Sequence, residues 1–152
     1  MMRWLDVITY AKYGNPEPPY RVEKSEVKWK EQLSPEQYKV TRQKGTEPPY
    51  RNAYCRFYEA GVYTCVGCGN VLFRAEEKYH AISGWPSFTQ PAAKNTLKYT
   101  LDDSHNMKRI EVQCNVCDSH LGHVFHDGPP PAELRYCINS VSLVFHKQNR
   151  PT

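Results

Sequence analysis

Six cysteines and a cluster of histidines carry most of the chemistry available to this chain. The cysteines stand at 55, 65, 68, 114, 117 and 137, and four of them form two pairs, Cys65-Val-Gly-Cys68 and Cys114-Asn-Val-Cys117. Two residues between ligands let one tight turn aim both sulfurs at an ion about 2.3 Å away, and two such turns complete the tetrahedron that zinc prefers. Gly67 and Gly69 are expected to supply the positive φ of the first turn. Four thiolates fill the coordination sphere and leave no place for water or substrate, so one Zn2+ is expected in a structural role. Two readings compete with it: three disulfides in an exported domain, and a redox-active Cys-x-x-Cys. The first would need an export signal and the second a βαβ setting, and neither pattern is visible. The 45 residues between Cys68 and Cys114 exceed the usual ribbon spacing of about 15 to 20. The ion would therefore staple two distant hairpins.

The remaining chemistry gathers near the C-terminus. In Arg135-Tyr136-Cys137-Ile138-Asn139-Ser140 the pleat of a strand puts Arg135, Cys137 and Asn139 on one face and Tyr136 with Ile138 on the other. A cation beside a thiol lowers its pKa and raises its reactivity. The opposing reading makes Cys137 a small buried hydrophobe, the usual fate of a free cysteine. Beyond Asn139 the apolar parity shifts to Val141, Leu143 and Phe145, so a bulge or bend is expected near Ser140. Upstream, Ser119-His120-Leu121-Gly122-His123-Val124-Phe125-His126-Asp127 follows the second cysteine pair directly. His120 and His123 could donate protons beside Cys137 or join the metal, although four cysteines already suffice. His80, His105, His126 and His146 default to surface or hydrogen-bonded positions. The loop Ser83-Gly84-Trp85-Pro86-Ser87-Phe88 is a turn in which Trp85 either offers its face to an apolar or sulfur-bearing group or packs into the core.

Elements able to position these residues are legible in outline. Trp4, Val7, Ile8 and Ala11 have helical spacing before Gly14-Asn15-Pro16-Glu17-Pro18-Pro19 stops the helix. A second helix starts at Ser34-Pro35-Glu36-Gln37, with Ser34 as N-cap and Gln37 closing a capping box, and Gly45 should end it. Short strands follow at 62–65, 71–73, 97–101, 110–114, 121–125 and 135–145. The expected class is mainly β, antiparallel, with one or two N-terminal helices. Residues 1–27 read as an N-terminal extension, 28–147 as the domain and 148–152 as a tail. Glu17-Pro18-Pro19-Tyr20-Arg21 recurs at 47–51, but one echo of five residues makes no structural repeat.

Composition narrows the function classes. The chain has 152 residues, net charge +4 and 39% apolar residues, enough for one domain with a real core. Its mean hydropathy is −0.73 and its pI near 8.7, below the value above 9 of a strongly basic nucleic-acid domain. No apolar run reaches the roughly 18 residues of a membrane span. Neither nucleic acid nor membrane is expected as a partner. Cytoplasmic location and a monomeric state are the defaults.

Taken together, Gly45-Thr46-Glu47-Pro48-Pro49, the two cysteine pairs, Gly84-Trp85-Pro86-Ser87-Phe88, His120-Leu121-Gly122-His123-Val124-Phe125, Asp127-Gly128-Pro129 and Arg135-Tyr136-Cys137-Ile138-Asn139-Ser140 resemble the B-type methionine sulfoxide reductases. The resemblance runs from about Trp29 to Phe145. It implies two small antiparallel sheets forming a β-tent or barrel-like domain, with a structural zinc remote from the active site. The implied reaction is thiol-dependent reduction of the R epimer of methionine sulfoxide, free or within proteins. Carried over, Cys137 would be the nucleophile that becomes a sulfenic acid, and His120 or His123 the acid. Arg135 and Asn139 would flank the nucleophile, with Asn139 supporting the acid network. Asp127 would help order a histidine or the departing water, and Trp85 would pack on the substrate's methyl group.

The chain departs from the family pattern in one place. Many members read Cys-Gly-Trp-Pro-Ser-Phe, whose cysteine resolves the sulfenic acid, and here that position is Ser83. Cys55 is the spare thiol and the candidate to resolve Cys137, with thioredoxin or a similar dithiol as reductant; the alternative is direct reduction by an external thiol. A zinc-ribbon binding module would leave the Cys137 strand and the histidines unexplained. An inactive relative would lack nucleophile or acid, and the Gly-Cys-Phe-Trp motif of the A-type reductases is absent.

Overall fold

The computed structural model describes residues 1–148; of the expected tail, 149–152 lie outside the described residues. Three helices come first: α1 Trp4–Tyr13, α2 Glu26–Gln32 and α3 Pro35–Gln43. At α3 the capping box forms as read, Ser34 Oγ accepting from Gln37 N–H and the Gln37 side chain accepting from Ser34 N–H. The left-handed residue that closes this helix is Lys44, one position before Gly45. α2 has no apolar stripe to announce it. Val27 is exposed and only Trp29 is buried, its ring covered by the Arg42 guanidinium 4.5 Å from the centroid.

The expected strands form except that 135–145 is split in two, and the sheets are antiparallel. One sheet runs β2 (Val71–Arg74), β1 (Gly61–Cys65), β9 (Leu143–Lys147). The other runs β3 (Lys78–Tyr79), β4 (Ser87–Phe88), β8 (Arg135–Ile138), β7 (His120–Phe125), β6 (Arg109–Cys114), β5 (Leu97–Asp102). β3 and β4 were not legible because two residues are too few to show a period. The bend expected near Ser140 is larger than a bulge: β8 stops at Ile138, a single 3-10 turn spans Ser140–Ser142, and β9 continues in the other sheet. The chain carrying Cys137 thus ties the two sheets together.

Between the sheets, the fully buried Tyr63, Phe73, Phe88 and Tyr136 form a continuous aromatic core, with Phe73 stacked on Phe88 at 4.3 Å and edge-on to Tyr136 at 5.8 Å. The N-terminal segment lies on the six-stranded sheet. Met2 and Val7 are buried, Asn15 bonds both backbone groups of Tyr99, and Val22 N–H donates to Val116 C=O. No helix of the described residues is long and apolar enough to cross a membrane.

Candidate functional site

A cavity of about 320 Å³ opens over the β7–β8 pair, and Cys137, Arg135 and Asn139 all line it as the pleat required. Cys137 stands opposite His123 on one side and Ser87 on the other. Trp85 and Ser83 contribute from the loop before β4, Phe125 from β7, Arg109 from β6 and Thr46 from the loop after α3. That aromatic loop docks on the residues after Glu47: Gly84 has φ 91°, and a Cβ there would fall 2.6 Å from Pro49 Cβ. Tyr50 N–H donates to Gly84 C=O at 2.7 Å.

His120 and His123 are three apart, so in a regular strand they would face opposite sides. They do not, because β7 is bulged. Val112 pairs with Gly122 while Gln113 pairs with His120, leaving Leu121 as an extra residue that restores the parity. The two imidazoles meet edge to face with centroids 5.7 Å apart. Each has its own carboxylate. His123 Nε2 lies 2.7 Å from Asp102 Oδ2, and the buried His120 Nδ1 lies 2.7 Å from Glu111 Oε2. Lys44 Nζ reaches Glu111 Oε1 at 3.0 Å. Burial pushes the His123 pKa down despite the opposing pull of Asp102. Asp102 is held well below the usual carboxylate range: burial opposes its charge, but hydrogen bonds with Ser104 and His123 prevail. Glu111 is likewise lowered by His120 and Lys44 against its burial.

Asn139 clamps the bulge. Its side-chain amide and its backbone N–H both donate to Leu121 C=O, at 3.0 and 2.8 Å, and its Oδ1 accepts Glu47 N–H at 3.0 Å. Glu47, itself buried, accepts from Ser140 and Val141 N–H with its carboxylate and from the Trp85 indole with its carbonyl. Around Cys137, burial pushes the thiol pKa up while Arg135 and Ser83 work to lower it, so the net shift is upward. The expectation of a cation-lowered thiol is corrected here, since desolvation exceeds the pull of a guanidinium already engaged elsewhere. Arg135 holds Asp127 with two bonds of 2.7 and 3.1 Å. Asp127 therefore meets Arg135 and not a histidine; the carboxylates at the histidines are Asp102 and Glu111. Sequence reading missed both, and Glu47's part in the site. For Glu111 a signal existed, an acid between Ile110 and Val112 inside an apolar strand; Glu47 sits in a loop, where no periodicity marks burial.

Cys55 is half-buried in the loop after Tyr50, where its sulfur stands 3.9 Å from Asn52 C=O. This loop is pinned close to the Cys137 strand, with Ser140 Oγ donating to Asn52 and accepting Tyr54 N–H.

The other four cysteines converge away from the cavity, and none of them lines it. Their sulfurs all lie within 4.8 Å of one another, Cys65 to Cys117 and Cys68 to Cys114 being 3.6 Å apart. Four sulfurs about 2.3 Å from one ion in tetrahedral array would be about 3.8 Å apart, so the set could hold a metal. The two turns are alike: Gly69 N–H donates to Cys65 C=O and Asp118 N–H to Cys114 C=O, with φ of 82° and 64°. Gly67 does not have positive φ, contrary to expectation. It is small for another reason, since a Cβ there would lie 2.9 Å from Ser119 Oγ and 3.3 Å from the Trp29 ring.

Comparison with known proteins agrees with these constellations. The SelR domain model matches residues 33–147. A peptide methionine sulfoxide reductase MsrB of Chromohalobacter salexigens is 58% identical over 127 residues, 83% of this chain and 96% of that protein. One from Leptospira interrogans is 50% identical over 85% and 98% of the two chains, and one from Methanosarcina mazei 52% identical over 84% and 91%. The chain belongs to the SelR-domain family, the B-type methionine sulfoxide reductases.

Proposed function

We propose that this protein reduces methionine-R-sulfoxide, free or within oxidised proteins, through a sulfenic acid on Cys137. The observation that carries the reading is strand β7: its regular pairing with β8 sets the Cys137 thiol opposite His123 within one cavity, and its bulge against β6 brings His120 to the same side as His123. A sulfoxide sulfur becomes electrophilic once its oxygen is protonated, so the reaction needs a soft nucleophile and an acid together. The Cys137 sulfur attacks the sulfoxide sulfur while a histidine proton goes to the oxygen. In the adduct the hydroxyl passes to the Cys137 sulfur as the sulfur–oxygen bond breaks. The transient sulfur–sulfur bond breaks with its electron pair staying on methionine, which leaves reduced by two electrons while Cys137, now a sulfenic acid, is oxidised by two. Trp85 packs on the substrate methyl group, Asn139 and Arg135 keep the nucleophile strand in place, and Asp127 orders Arg135. Cys55 then attacks the sulfenic sulfur, forming a disulfide and releasing water, and thioredoxin or a similar dithiol returns both thiols by exchange.

Cys65, Cys68, Cys114 and Cys117 hold one Zn2+ in this reading, since four thiolates suit zinc and complete its shell. The ion supplies structural crosslinking and no chemistry at Cys137. Residues 28–147 form the reducing domain and 1–27 an extension laid upon it. The reading takes the protein as a monomer in the reducing cytoplasm, where thiols such as Cys55 and Cys137 stay reduced.

Incubation with dithiothreitol and each separated epimer of a blocked methionine sulfoxide tests the reaction. R-only turnover that disappears in Cys137→Ser is expected; full activity of Cys137→Ser sinks the mechanism. Mass spectrometry after one turnover without reductant should find Cys55 linked to Cys137, and an unlinked Cys55 in oxidised protein would refute its resolving part.

A further inference from the structure

A second cavity, of about 580 Å³, adjoins the first, and Arg109 and Phe125 line both. Its outer wall comes from α1: Trp4 and Ile8, four residues apart and so on one helical face, stand over Leu101 and Ile110 at the ends of β5 and β6. Trp4 is held there by parallel stacking on His126, centroids 5.0 Å apart and planes 7° apart. Phe125 is braced by the Arg135 guanidinium, 4.3 Å from its centroid. The Arg109 guanidinium is only loosely engaged, Nη2 standing 3.6 Å from Asp102 and 3.5 Å from Ser104, and keeps donors for a main-chain carbonyl passing between the cavities.

We propose that this second cavity is a subsite for an apolar side chain two positions from the oxidised methionine of a polypeptide substrate. The inference rests on the proposed reaction and deepens it by naming the sequence context that the α1 extension would favour. In an extended peptide, side chains two apart point to the same side and lie about 7 Å apart, a reach that suits two cavities with a shared wall. The lining decides the chemistry of the guest. Trp4, Ile8, Leu101 and Ile110 offer apolar surface, while the exposed Lys12 and Lys108, with Arg109, outnumber Asp103 around the cavity and disfavour a basic side chain.

The test uses blocked pentapeptides with central methionine-R-sulfoxide and Leu, Ser or Lys at either position two residues away, alongside blocked methionine-R-sulfoxide itself. At one of the two positions Leu should raise kcat/KM roughly three- to tenfold over Ser, as expected for partial burial of one apolar side chain, with Lys below Ser. Trp4→Ala should bring the Leu-to-Ser ratio to about one. Ile8→Glu should invert the order so that Lys exceeds Leu, an inversion that mere loss of folded protein cannot produce. Equal rates for Leu and Ser at both positions in the native protein, or a Leu preference that survives both substitutions, would overturn the subsite while leaving the reaction standing. Failure to turn over blocked methionine-R-sulfoxide would overturn the reaction and this inference with it.

Discussion

The Glu47 carboxylate accepts the backbone N–H of Ser140 at 2.6 Å, joining residues 93 apart in sequence immediately beyond the Cys137 strand. The same carboxylate accepts Val141 N–H at 2.9 Å. Glu47→Ala leaves both amides without a partner in a buried site, a loss of about 2 to 3 kcal/mol measurable by urea unfolding. Glu47→Gln keeps one acceptor oxygen and should lose less. Burial raises the Glu47 pKa, so as pH rises from the ordinary carboxyl value to the raised one the unfolded chain has already given up its proton and stability falls. That decline should be missing from Glu47→Gln.

His123 and Cys137 predict the shape of the pH–rate profile. A protonated His123 with a Cys137 thiolate carries the same number of protons as a neutral histidine with a thiol, so the reactive pair persists as a constant minority between the two pKa values. With His123 lowered and Cys137 raised, kcat/KM should form a plateau wider than ordinary histidine and cysteine values allow. Asp102 raises the His123 pKa against burial. Asp102→Asn should therefore move the acid limb to lower pH, and an unmoved limb would remove His123 from the acid's position.

Asn139 tests the bulge as a positioning device. Asn139→Ala removes the side-chain bonds to Leu121 C=O and Glu47 N–H, freeing the step that turns His120 and His123 to one side. A displacement near 1 Å lowers rates by about 100-fold. The fall should appear in kcat with the far-ultraviolet spectrum unchanged, and an unaltered kcat would mean that the bulge holds without the clamp.

Metal analysis should find one zinc per chain. Removing it by chelation under mild denaturant, or by Cys114→Ser, should lower Tm on the order of 10 °C or more, because an ion held by the four cysteines would tie the β1–β2 turn to the β6–β7 turn. Restored Tm on adding zinc to the chelated protein, and none on adding it to the variant, would complete the check.

Much of this was legible beforehand for physical reasons that differ from residue to residue. Cysteine pairs and the strand around Cys137 announce themselves because spacing and pleat are local. The helix at Pro35 was marked by its own cap. α2 was hidden because one buried tryptophan, and no stripe, holds it. Asp102 and Glu111 reach their histidines only across paired strands, so nothing local to His120 or His123 names them.

By itself the sequence determined the ligand spacing, the face shared by Arg135, Cys137 and Asn139, the break beyond Asn139, and the motifs that place the chain in its family. Each is a short-range consequence of backbone period or turn geometry. Tertiary structure alone decided that one extra residue, Leu121, brings two histidines of opposite parity together. It also decided that burial outweighs Arg135 at the Cys137 thiol, and that α1 walls a cavity beside the first. Those outcomes depend on register, desolvation and packing between distant segments, which no local pattern encodes.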